Sequence, residues 1–215
     1  MNFGSRNFVF YLSIFVLTIA SASSDKLLTP ISDYSTPKGS ALSQKYSSNL
    51  VSAVDEIVKV FKPGTIRPLS LDESVVGGAG FWKNPAKFGQ DARYMSVLFI
   101  VERPAYIFGD DRNGHVASVL DKYGKTMIEV LTRHIEKMND SQVEGAAICI
   151  IWGDSINGNP TKIGKEAMAL FISSSDLLLY KSFKLTIQSL VNRNDLFLFN
   201  GEQELDNLTQ FILES

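Results

Sequence analysis

The sequence predicts a single α/β domain of the α+β kind: a mixed, mainly antiparallel sheet of about five strands with helices packed on its faces. Three observations carry this. Tyr94–Val101 (YMSVLFIV) and Ala146–Trp152 (AAICIIW) are unbroken apolar runs, the pattern of strands buried on both faces. Leu42–Phe61 and Val116–Met138 repeat their apolar residues at intervals of three and four, the helical period. Asp154–Pro160 is dense in turn formers, among them Asn157-Gly158, and leads into a second apolar run, Lys165–Ile172. Those two runs read as a hairpin, so a fully parallel sheet is excluded.

The 215 residues are 45% hydrophobic and 20% charged, enough apolar material for one sizeable core. A net charge of −2 offers no field to hold nucleic acid or an anionic membrane by charge alone. Residues 1–22 read as a signal peptide: Arg6 precedes the apolar run Phe8–Ala20, and Ala20-Ser21-Ala22 has the small-x-small pattern of a cleavage site. That run is shorter than the roughly 20 residues a membrane-spanning helix needs. The expectation is an exported protein, periplasmic or extracellular, with no stable membrane span once the signal is removed. Cys149, the single cysteine, cannot form an internal disulfide and sits among isoleucines, where a thiol is an inert packing group. Asn139-Asp140-Ser141 and Asn207-Leu208-Thr209 are formal glycosylation acceptors.

Taken in order, residues 23–40 are rich in Ser, Thr, Pro, Asp and Lys without a period and read as a flexible arm, with 41–215 as the globular domain. The helix from Leu42 stops at Pro63-Gly64. Residues 65–93 form the least regular stretch and read as a long loop. After the strand Tyr94–Val101, Pro104 turns the chain and Ala105–Phe108 can return as a short strand. Gly109–His115 is a turn ending in a helix cap. The helix Val116–Met138 is interrupted by Gly124 at a cost of about 1 kcal/mol relative to alanine. Ser173–Asp176 supplies hydroxyls and a carboxylate to start a helix that extends to Val191, with a break near Ser182-Phe183. Asp195–Phe199 is a short strand, and Glu202–Leu213 is expected to be the last helix.

Two places invite a functional reading. In the loop Gly77–Gly89, Phe81, Trp82 and Phe88 offer flat apolar faces beside Lys83 and Lys87, a composition suited to binding. Its glycines lack the Gly-Lys-Ser/Thr ending of a phosphate loop, so no nucleotide site is expected. Asp110, Asp111 and His115 lack the alternation of a calcium loop, and His134 borders a helical stripe as a packing residue. No metal and no cofactor are expected.

The second place is Trp152-Gly153-Asp154-Ser155-Ile156, just after a buried strand. It resembles the first block of the SGNH/GDSL hydrolases, which implies Ser155 as a nucleophile toward an ester. That family takes its base from an Asp-x-x-His pair near the C-terminus, whereas here no histidine follows Ser155 and both His115 and His134 precede it. Hairpin-turn chemistry is the default account of Gly153-Asp154-Ser155. The resemblance spans these five residues, and none covers the whole chain. The leading expectation is an exported, non-catalytic binding or accessory protein of the cell envelope or extracellular space, its partner another protein or an envelope or extracellular ligand. The alternative is a small serine hydrolase using Ser155, with His115 or His134 brought near by folding.

Overall fold

The structure, a computed structural model, describes residues 24–72, 77–102, 112–153, 166–199 and 208–213. In chain order the elements are α1 (Ser24–Leu27), a 3-10 turn (Ile31–Asp33), α2 (Pro37–Lys45), α3 (Ser47–Val60), β1 (Ile66–Pro68), β2 (Ala79–Lys83), β3 (Arg93–Glu102), α4 (Arg112–Val119), a π-turn (Leu120–Gly124), α5 (Lys125–Met138), β4 (Val143–Gly153), β5 (Glu166–Ser173), α6 (Ser174–Lys181), α7 (Ile187–Asn192), β6 (Asp195–Phe199) and β7 (Leu208–Phe211).

The two long apolar runs become the centre of the sheet. β3 and β4 lie side by side and parallel, Met95 opposite Ala146 and Val101 opposite Trp152. The other strand pairings among the described residues are antiparallel. β1 and β2 share the outer edge of β3, while β5, β6 and β7 extend the sheet beyond β4. The chain is therefore an α/β domain on one mixed, mainly antiparallel sheet. Among the described residues it has seven strands where about five were expected.

The additional strands come from places read otherwise. β1 and β2 lie in the stretch expected to be a loop, and β7 lies where the last helix was expected. Leu208–Phe211 pairs along β6, from Leu196↔Phe211 to Phe199↔Leu208, satisfying that strand's open backbone. Residues 23–40 were read as a flexible arm, yet the described part of that stretch is docked. Leu28 bridges Ala79, the Thr29 N–H donates to Ala79 O at 2.8 Å, and the Gly78 N–H donates to Leu27 O at 2.7 Å. The expected strand Ala105–Phe108 and the turn Asp154–Pro160 lie outside the described residues.

Alternation along the strands divides the core. Met95, Val97 and Phe99 of β3, with Ile148 and Ile150 of β4, point to the face where α3, α5, α6 and α7 pack through residues such as Leu50, Ile57, Met127, Leu131, Leu177 and Leu190. The opposite face carries two smaller apolar clusters, around Leu98, Ile100 and Ile151 and around Tyr94, Phe171 and Phe197. No helical residue belongs to either cluster. Gly145 lies in the β4–β5 pairing, where a Cβ would meet Ile172 O at 1.9 Å, so only glycine fits. The helix read as Val116–Met138 is two helices joined by the π-turn, with Gly124 at its end. Among the described residues, no helix is long and apolar enough to cross a membrane.

Candidate functional site

The loop expected to carry recognition is split by β2. Phe81 faces the main core and is 0% exposed, its ring 6.1 Å from that of Tyr46, so it offers no face to a partner. Trp82 points the other way and is half-buried, its indole N–H donating to Thr29 Oγ1 at 3.0 Å. Phe81 was expected among the binding residues, and strand alternation sends it inward instead.

Beyond β2 the chain makes a tight turn. Asn84 Oδ1 accepts the Ala86 N–H at 2.9 Å, Asn84 O accepts the Lys87 N–H at 3.1 Å, and Gly89 takes φ +76°. At its tip Phe88 is 97% exposed. Lys87 beside it is exposed, and Lys83 stands 3.8 Å from Asp91 across the base. Of the five residues expected to bind, Lys83 at the end of β2 and Lys87 and Phe88 on the turn are exposed.

His115 lies elsewhere. It is on the inner side of α4, 3% exposed, at the carboxyl ends of the parallel strands β3 and β4. Ligand sites of α/β sheets commonly form at this end. Its Nδ1 stands 3.0 Å from both carboxylate oxygens of Glu166, the first residue of β5. Glu166 is the cross-strand neighbour of Trp152, whose indole N–H donates to Oε2 at 2.6 Å. An ionised carboxylate only accepts, so the His115 Nδ1–H donates to Glu166. Among the described residues its Nε2 is buried without a hydrogen-bond partner, and so is Nδ1 of His134. Neither Glu166 nor Trp152 is singled out by sequence reading. The only available signal was the position of Trp152 at the end of a buried strand.

His134 is a different case. It sits on α5, 4% exposed, with Nε2 3.1 Å from Glu56 Oε2 on α3, and Arg133 also pairs with Glu56. Arg133 is the leading cause that holds the Glu56 carboxyl below its usual range. This group ties α3 to α5, far along the helix from His115. Ser155 and Asp154 lie outside the described residues. Cys149 packs among apolar neighbours, and burial pushes its thiol up to about 12. Among the described residues, no three His, Cys, Asp or Glu side chains stand together as metal ligands. Compared with known proteins, the chain matches no family model, no curated protein and no solved structure.

Proposed function

We propose that the protein is an exported binding or accessory factor of the cell envelope or extracellular space, recognising a protein or envelope ligand through the turn after β2. Phe88 carries this reading. A phenyl ring that is 97% exposed forfeits the burial an aromatic side chain ordinarily gains, and here it stands on a turn braced by Asn84 rather than on a loose end. Lys87 and Lys83 flank it with positive charge, which suits a partner with an apolar recess and an acidic rim. Export rests on the apolar run Phe8–Ala20 and the small residues Ala20 to Ala22, and predicts a mature chain that begins at Ser23.

The test places a photoreactive benzoyl-phenylalanine at position 88 in the producing cells. A discrete cross-linked adduct, lost when Lys83 and Lys87 are changed to glutamate, is the expected result. An adduct insensitive to those charges, or none, overturns the reading. N-terminal sequencing of the protein recovered outside the cytoplasm checks export. A chain still beginning at Met1 counts against it.

A further inference from the structure

We propose that the partner recognised by the turn after β2 is a second copy of this chain, which receives Phe88 in a groove along α3. The second copy rests on the recognition reading at Phe88, and both halves of the contact lie among the described residues. The groove has a volume of about 730 Å³. It follows two neighbouring rows of residues four apart on α3, one through Val51 and Asp55, the other through Ser48, Ser52 and Glu56. Leu28, on the docked N-terminal stretch, supplies the lining from outside α3. Leu28 and Val51 are its apolar part, and both are only half-buried, so each keeps surface for an incoming ring.

Charge sets the register. Asp55 is exposed and makes no hydrogen bond or ion pair among the described residues. Glu56 beside it is held by Arg133, and Lys59 ends the row one turn later, so a cation is favoured at the middle turn of α3. Lys87 matches this. It is exposed, adjacent to Phe88 and without an ion-pair partner among the described residues, whereas Lys83 already stands 3.8 Å from Asp91. With Phe88 over Val51, Lys87 is one residue away on the turn and Asp55 one turn away on the helix. The apolar recess with an acidic edge that suits the turn is thus displayed by every copy of the chain.

Within one chain the two halves do not meet, because Phe88 is 97% exposed. A contact between unlike surfaces joins copies head to tail, or is made twice in a closed pair. Phe183 is equally exposed, but Lys181 near it is held by Glu136 and Leu185 is half-buried. Phe88 instead lies within six successive exposed residues, 85–90, a projection able to enter a recess. Covering its ring together with the open surface of Val51 and Leu28 supplies the attraction. One such knob covers far less than the roughly 1,600 Å² of a standard interface, so the association is reversible and grows with concentration.

The protein, purified as the cell processes it, is followed by sedimentation velocity over a range of concentrations. A mean mass rising above that of one chain is expected, with Phe88→Ala weakening the association about tenfold or more. Lys87→Glu and Asp55→Lys each weaken it about threefold or more, and Phe183→Gly leaves it unchanged. Ser52 is exposed, so Ser52→Trp fills the groove with little cost to the fold and also abolishes association. Mixed together, the Phe88→Ala and Ser52→Trp chains pair again, since one supplies the groove and the other the ring. Benzoyl-phenylalanine at position 88 cross-links to α3 of a second copy, giving an adduct of twice the chain mass. A wild-type chain that stays single at every concentration, or a mixture of the two variants that fails to pair, overturns the proposal. So does association lost in Phe183→Gly and kept in Phe88→Ala. An adduct from position 88 to a different protein rules out the second copy alone and leaves the recognition reading standing, whereas no adduct at all overturns both.

Discussion

Phe81 and Phe88 belong to one short stretch, yet substitution at each has opposite consequences. Phe81 fills the core beneath α3, so Phe81→Ala is expected to cost about 3–5 kcal/mol through lost burial and the cavity left behind. Phe88→Ala removes a ring with almost no contact and should change stability by less than about 0.5 kcal/mol. Chemical denaturation of the two variants beside wild type measures both, and a costly Phe88→Ala would mean that the turn is part of the core. Cys149 gives a second prediction at this scale. With its thiol pushed up to about 12 by burial, the reactive thiolate is scarce at neutral pH. Because Cys149 is only partly buried, Ellman's reagent should modify the native protein far more slowly than the denatured one. Rapid labelling of the native chain would contradict the burial. Cys149 as an inert packing group was legible from its isoleucine neighbours. The partners of His115 were not, because Glu166 follows it by 51 residues and reaches it only through the β4–β5 pairing.

At the scale of elements, the end of α6 shows a local rule broken. The Lys184 N–H donates to Leu179 O and the Phe183 N–H to Tyr180 O, both at 2.9 Å, which is the hydrogen-bond pattern of a Schellman cap. The residue that must turn left-handed in that cap is ordinarily glycine, and here it is Phe183 with φ 57° and a ring 97% exposed. Phe183→Gly should therefore stabilise the fold by about 1 kcal/mol, raising the thermal midpoint by a few degrees. A lowered midpoint would show that the ring makes contacts in solution that offset the strain. The break between α6 and α7 was readable from Ser182-Phe183, and the same holds for β3, β4 and α5, whose apolar periods run long enough to be unambiguous. Short elements were not readable. β2 is five residues with a glycine inside, and its identity comes from pairing with Met95 and Tyr94 rather than from any period of its own. β7 likewise exists because β6 presents an open edge.

Over the whole molecule, the ties that sequence reading could not supply join segments far apart in the chain. Arg93, 3% exposed, donates to Phe81 O, Thr36 Oγ1 and Asp91 Oδ1, fastening the N-terminal segment to β2 and β3. Asp140 does the equivalent just after α5. It accepts from Lys45 Nζ at 2.9 Å, from the Tyr46 hydroxyl at 2.8 Å and from the Gln142 N–H at 2.9 Å, linking the α2–α3 junction to the turn before β4. The Lys45 hydrogen bond is the largest cause, followed by the Gln142 N–H and the Tyr46 hydroxyl, of a carboxyl lowered from 3.8 to about 2. A carboxyl depressed in the folded state adds stability that is complete above its unfolded value and disappears as pH falls through the folded one. The contribution of Asp140 is thus full above about pH 4 and lost progressively toward pH 2. Because Lys45 is 62% exposed, the pair is screened by solvent and weakens further in salt. Asp140→Asn should lower stability modestly at neutral pH and cost progressively less toward pH 2, so that the two stability curves converge there. Curves that stay parallel down to pH 2 would show that the link between the α2–α3 junction and the turn before β4 does not depend on the charge of Asp140.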